Sequence, residues 1–308
     1  VRKLCLDMVY ELAKQDERIV FIGSDLGFGT LRQFKEEMPE RFFMEGISEA
    51  NVVGMAAGLA MEGNIVYVNT IATFLTRRCF EQVAMDVCLH HANVRLIGNG
   101  GGLVYAPLGP THEAIEDIAI FRALPGMTIV APADREEMRR FMPQTVEYRG
   151  PIYIRLGKGN EPVISSDAHT FTIGRAIAMR EGDDALMLTT GVSLHAVVEA
   201  AEMLARQGIE ATVLHLPTVK PLDEKAILHY AARVPVIVSV EEHSVIGGLG
   251  GAVAELIAET SFSGPKRFKR LGIPDEFAHK YGSQADLQAY YGLTAKDIVK
   301  EIAHGTTA

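Results

Sequence analysis

Short apolar runs recur along this 308-residue chain, most of them without polar alternation. Ile19-Val20-Phe21-Ile22, Ile65-Val66-Tyr67-Val68, Val94-Arg95-Leu96-Ile97, Met127-Thr128-Ile129-Val130 and Ile152-Tyr153-Ile154-Arg155 lie in the first half. Ala185-Leu186-Met187-Leu188, Ala211-Thr212-Val213-Leu214 and Val236-Ile237-Val238-Ser239-Val240 lie in the second, with Lys269-Arg270-Leu271-Gly272 as a candidate edge strand. A strand that is apolar on successive residues is buried on both faces. Helical patterns separate the runs, at about 4–13, 74–90, 113–124 and 192–207, and another starts at Gly251. This rhythm predicts two consecutive α/β domains with mainly parallel sheets. The polar stretch Gly157-Lys158-Gly159-Asn160-Glu161-Pro162, followed by Ser165-Ser166-Asp167, puts the boundary near residues 160 to 172. The domains expected are 1–165 and 166–308. Ligands of such sheets bind beyond the carboxyl ends of the strands. Asp25, Thr73-Phe74, the glycine-rich loop at Gly98 to Gly102, and Arg155 all fall there.

Composition removes several classes of function. A net charge of −9 argues against a nucleic-acid or anionic-membrane surface. Cys5, Cys79 and Cys88 form no C-x-x-C pair and no zinc spacing, so a reducing, cytoplasmic setting is expected. No apolar run is long enough to span a bilayer. The chain carries no GxGxxG opening its first βα unit, no Walker loop and no H-E-x-x-H.

Gly46-Ile47-Ser48-Glu49 reads as a turn delivering a carboxylate into the first turn of a helix. Gly46 permits unusual backbone angles, and Ser48 is placed to cap the helix through its hydroxyl. The helix then carries Ala50, Gly54, Ala56, Ala57, Gly58 and Ala60. Glycines cost helix stability, so close approach to another backbone, within or between subunits, is expected. Glu49 either sits at that seam or merely complements the helix dipole. Phe74, Arg77 and Phe80 follow at i, i+3 spacing, as core residues or as an aromatic platform with a cation. Gly98-Asn99-Gly100-Gly101-Gly102 is either a mobile loop or a phosphate cradle. Gly247-Gly248-Leu249-Gly250-Gly251 opens a helix, and tight helix-on-sheet packing accounts for it most simply. His112, leaving the turn Gly109-Pro110-Thr111, is well placed for a cleft.

The order Asp25, Gly46-Ile47-Ser48-Glu49, Thr73-Phe74-Leu75-x-Arg77-x-x-Phe80, Gly109-Pro110-Thr111-His112 and Ile154-Arg155 resembles the transketolase family. Val240-Glu241-Glu242-His243-Ser244 with Gly247 to Gly251 resembles that family's C-terminal domain. The resemblance covers essentially the whole chain. It implies a thiamine-diphosphate-binding fold and a two-carbon ketol transfer between a ketose phosphate and an aldose phosphate. Glu49 would hydrogen-bond N1′ of the cofactor's aminopyrimidine, Phe74 would stack on that ring, and Phe80 would add a second aromatic to the pocket. Asp25 would lie near the thiazolium. Arg77 would join the cofactor site. His112 would contact the donor's hydroxyls, and Arg155 would bind the substrate phosphate. A carboxyl on N1′ promotes loss of the thiazolium C2 proton. Burial of Glu49 is expected to outweigh the helix terminus, so that it shares a proton with N1′.

The departures from the family are as informative. Nothing here resembles the diphosphate-binding domain, with its Gly-Asp-Gly and downstream asparagine that hold magnesium. The chain therefore resembles the C-terminal subunit of a split transketolase. The N-terminal partner subunit would supply the diphosphate and Mg²⁺ ligands, and two copies of each would form an α2β2 heterotetramer. Leu108 and Gly100 stand where many transketolases carry polar substrate ligands. Thr73-Phe74-Leu75-x-Arg77 leans towards the deoxyxylulose-phosphate synthase branch. A thiamine enzyme of that type, or a 2-oxo acid dehydrogenase β-subunit, is the alternative. A non-catalytic interaction subunit keeping the fold is the remaining one.

Overall fold

The structure is a computed structural model describing residues 1–24 and 31–306. Seven strands form the first sheet: β1 (Ile19–Gly23), β2 (Phe42–Met44), β3 (Ile65–Ile71), β4 (Val94–Asn99), β5 (Thr128–Val130), β6 (Ile152–Leu156) and β10 (Thr218–Lys220). Their order is β10-β5-β6-β4-β3-β1-β2, parallel except for β10. The second sheet runs β12-β11-β8-β9-β7. Its strands are β7 (Ile177–Arg180), β8 (Ala185–Thr189), β9 (Ala211–His215), β11 (Val236–Ser244) and β12 (Arg267–Ile273), parallel except for β7.

Continuous apolarity has the expected cause. Val20 and Ile22 of β1 pack into one core with Val52, Val53 and Ala56 of the helix Glu49–Met61. Ile19 and Phe21, between them, pack on the opposite face with Cys5, Val9 and Phe34. The edge strand at Lys269 is present, and the strand at Val236 runs on to Ser244.

Two features depart from the sequence reading. Strand β10 comes from the second half of the chain yet extends the first sheet antiparallel to β5. The long helix expected over 74–90 is broken into Ala72–Arg77, a turn at Phe80–Gln82 and a π-helical segment Val83–Cys88. Among the described residues, no helix is long and apolar enough to cross a membrane.

Candidate active site

From β1 the chain steps outward to β2 on one side, while β3 and β4 lie on the other. That reversal opens a crevice beyond the carboxyl ends of β1 and β3, the usual ligand position in an open parallel sheet. Ser24, just after β1, ties the two ends together by donating to Thr70 Oγ1 at 2.6 Å. Asp25, the next residue, lies outside the described residues.

Glu49 enters this region from β2. Gly46 turns at φ +67°, and the Ser48 amide donates to the Gly46 carbonyl at 3.0 Å. Ser48 is the N-cap residue, but its hydroxyl does not cap; it donates back to the Glu45 carbonyl at 2.8 Å. Glu49, the first helical residue, is only 4% exposed. Within the chain the helix's glycines are not demanded by packing. A Cβ on Gly54 would meet only Asp86 at an ordinary 3.8 Å, and one on Gly58 would meet nothing.

Phe74 follows β3 on the helix Ala72–Arg77. One residue beyond that helix, Arg78 donates from Nη1 to Glu49 Oε2 at 3.1 Å, and its guanidinium carbon sits 3.7 Å from the Phe74 ring centroid. Sequence reasoning missed Arg78. The signal available was its i, i+4 relation to Phe74, the spacing that makes helical neighbours. His112 meets Phe74 edge-on at 5.4 Å, and its Nδ1 pairs with Thr111 Oγ1 at 2.9 Å. Glu49, Phe74 and His112 thus share one crevice wall, with Arg78 bridging the first two.

Arg77 and Phe80 are placed differently from expectation. Arg77 donates from Nη1 to the Pro110 carbonyl at 2.8 Å and from Nη2 to the Glu113 carbonyl at 3.0 Å, and it pairs with Glu116. Its guanidinium holds the His112 loop. The helix break at Arg78 and Cys79 puts Phe80 on a separate turn, 40% exposed, and no ring contact joins it to Phe74 among the described residues. The helix expected from Glu113 starts only at Asp117. Glu113 instead lies buried in the loop with neither carboxylate oxygen hydrogen-bonded. Burial pushes its carboxyl up to about 7, with nearby Arg77 pulling the other way.

Arg155, expected at the substrate phosphate, is largely enclosed. It is 5% exposed, donating from Nε to Asp117 Oδ2 at 2.8 Å and from Nη2 to the carbonyls of Ala114 (3.0 Å) and Glu242 (2.9 Å). Nε and Nη2 of its guanidinium are thus engaged within the chain. Tyr153 donates to the same Asp117 oxygen at 2.7 Å. Burial disfavours the Asp117 carboxylate, but Arg155 and then His243 hold it below its usual range. Glu242 of β11 accepts from the Leu103 amide at 2.7 Å and from Gln284 and Gln288; burial pushes its carboxyl up despite these donors. These residues form the seam between the two sheets.

Both glycine-rich stretches serve packing. The amides of Gly100 and Gly101 donate to the Leu156 carbonyl, and that of Gly102 to Ala114. Gly102, at φ +69°, admits Glu242 so closely that a Cβ would lie 2.5 Å from Oε1. In the second stretch Glu241 caps the helix Leu249–Ala258, accepting from Leu249 at 2.7 Å and Gly250 at 2.8 Å. The anion at that terminus is the protein's own carboxylate.

Two family models match the chain: the transketolase pyrimidine-binding domain over residues 1–163 and the transketolase C-terminal domain over 174–298. The chain belongs to the transketolase family. This transketolase chain is 39% identical over its full length to a 6-deoxy-6-sulfo-D-fructose transketolase subunit of Clostridium sp. (strain MSTE9), covering 94% of it. It is 38% identical to an apulose-4-phosphate transketolase subunit of Phocaeicola vulgatus, over 97% of this chain and 95% of that one. A solved split-gene transketolase, described as an inactive β4 tetramer, superposes with a TM-score of 0.90 at 36% identity, covering 99% and 98% of the two chains.

The family depends on thiamine diphosphate, and the crevice fits the aminopyrimidine end of that cofactor. Glu49 is a buried acceptor beside an aromatic face, and the planar, N–H-bearing Arg78 side chain already satisfies both groups. Among the described residues, no group of three or more His, Cys, Asp and Glu side chains could hold a metal ion.

Proposed function

We propose that this transketolase chain is the aminopyrimidine-binding half of a two-chain enzyme that moves a two-carbon ketol unit between sugars bearing an anionic end. The observation that carries the reading is that buried Glu49 and the face of Phe74 are bridged by one flat side chain, Arg78, at the sheet's switch point. The cofactor, when bound, supplies the carbon nucleophile that cleaves and re-forms the ketol bond. Glu49 holds a proton at N1′ of the aminopyrimidine, and Phe74 orients that ring. His112, presented by a loop that Arg77 fastens, reaches the donor's hydroxyls. Asp25 and Phe80 complete the surroundings of the cofactor.

A partner subunit carries the diphosphate and Mg²⁺ ligands, which are oxygen donors. Two copies of this chain form the core of an α2β2 assembly. The open face left by Gly54 and Gly58 supports self-association, as does the tetramer formed by the solved split-gene chain. Deoxyxylulose-phosphate synthases are also relatives, the one from Geobacter sulfurreducens at 40% identity, but this chain spans only 46% of that protein. Near end-to-end agreement with separate transketolase subunits favours the first reading.

The named relatives act on a sulfonated and a phosphorylated sugar. Arg155, the expected ligand of that anionic end, is largely enclosed, so a second cation beside it is called for. Lys158, exposed three residues further on beyond the carboxyl end of β6, is our candidate. Lys158→Ala should weaken anionic sugars roughly tenfold or more and leave neutral ones unchanged, since charge-assisted hydrogen bonds are the strong ones. KM for paired anionic and neutral donors checks this. The function itself is tested by a two-carbon transfer assay. The chain with its diphosphate-binding partner should turn over and neither alone should. Turnover by this chain alone, or deoxyxylulose phosphate as the sole product of the pair, would overturn it.

A further inference from the structure

We infer that Arg78 is an internal stand-in for the aminopyrimidine, so that cofactor capture is an exchange in which the ring displaces a side chain of this chain. The inference rests on the assignment of Glu49 and Phe74 made above. Two separate contacts carry it. Arg78 Nη1 donates to Glu49 Oε2 at 3.1 Å, taking the acceptor assigned to the ring. The guanidinium also lies 3.7 Å from the centroid of Phe74, the distance of a stacked plane. A guanidinium is flat, carries N–H donors and stacks on aromatic faces. An aminopyrimidine presents the same combination to the same two groups.

The exchange is sterically open. Glu49 is 4% exposed, whereas the Arg78 side chain is 48% exposed and lies past the last residue of the helix Ala72–Arg77. It can swing to solvent without disturbing the core. On the other edge Phe74 is fixed by His112 at 5.4 Å, so the platform stays when Arg78 leaves. Holding a buried carboxylate beside a cation removes the cost of leaving it unpaired until the ring arrives. In return, the affinity for any aminopyrimidine falls by the fraction of chains in which Arg78 has moved away.

The test uses the full chain, thiamine as the probe, and NMR of labelled arginine and phenylalanine side chains. In the purified chain the Arg78 side-chain protons should be shifted upfield by the Phe74 ring, and Phe74→Leu should abolish the shift. Titration with thiamine should return the Arg78 signals to their solvent-exposed positions while perturbing Phe74. Arg78→Met, which keeps a long side chain without the charge or the plane, should bind thiamine roughly 5- to 30-fold more tightly. An unshifted Arg78 in the purified chain would overturn the stand-in. So would Arg78 signals that stay shifted while thiamine occupies Phe74, or equal affinities of wild type and Arg78→Met. Thiamine that leaves Phe74 unperturbed, in both proteins and in the complex with the partner subunit, would overturn the aminopyrimidine assignment beneath it.

Discussion

Among the first domain's arginine–carboxylate pairs, two have a buried carboxylate, and their surroundings make them different devices. At the seam, Arg155 and Asp117 are 5% and 0% exposed; Tyr153 donates to the same Asp117 oxygen as Arg155, and two backbone carbonyls accept from the guanidinium. In the crevice, Glu49 is as buried as Arg155, but its partner Arg78 is half in water. Breaking a pair sequestered on both sides leaves a charge that nothing else can solvate. A pair with one exposed partner can open at little cost, because water takes up the released cation. The seam is therefore suited to holding two domains together, and the crevice to exchanging one partner for a ligand.

The sharpest test of that contrast is Glu49→Gln in the assembled enzyme. It should keep the fold while exchange of the thiazolium C2 proton falls by about 10²- to 10⁴-fold, the range for a lost acid–base group. Quenched-flow NMR measures the exchange. A wild-type rate would reduce Glu49 to a partner for the helix terminus. Next in size, Arg155→Met should cost about 3–5 kcal/mol of stability by urea denaturation, because it strands the Asp117 carboxylate. Sugar affinity lost without any loss of stability would show that Arg155 serves the substrate and not the seam.

Glu113 lies between the two regimes, a buried carboxyl raised to about 7 with no hydrogen-bond partner. Between its ordinary 4.5 and 7 the folded chain binds more protons than the unfolded one, so its contribution to stability is present at low pH and lost as pH rises. Glu113→Gln should therefore stabilise the isolated chain by about 3 kcal/mol at pH 8 and hardly at all at pH 4, since each pKa unit is worth roughly 1.4 kcal/mol. Urea titrations at both values check this, and a pH-independent difference would mean that the carboxyl is paired in solution. The smallest effect concerns Ser48. A capping hydroxyl is worth about 1 kcal/mol, whereas the hydroxyl seen here, bonded to Glu45 at an exposed turn, should cost only a few tenths when Ser48→Ala removes it. Thermal melts distinguish the two values.

How far the site was legible depended on the range of the interaction. Glu49, Phe74 and His112 could be placed beside the crevice because each follows a strand end or a turn, and open parallel sheets bind ligands there. The surroundings of Arg77 and Phe80 were not legible because a single helix was assumed across residues 74–90. The break at Arg78 and Cys79 re-aims everything after it. The partners of Arg155 were not legible either, because its position at a strand end is the same whether its guanidinium faces the crevice or Asp117. No local pattern records that Asp117, from the next helix along the sheet, lies within 2.8 Å.

By itself the sequence determined the layered α/β architecture, since strands apolar on successive residues must be covered on both faces, and it determined where the crevice would open. Only the tertiary structure decided which charges meet. Strand β10 crosses from the second half to the edge of the first sheet, and β11 sets Glu242 against the glycine loop at Leu103. The helix break sets Arg78 over Phe74. Hydrophobic periodicity is a local code read residue by residue. The partner of a buried charge is settled by packing between elements far apart in the chain, and that packing turned one arginine into a rivet and left another free to yield its place.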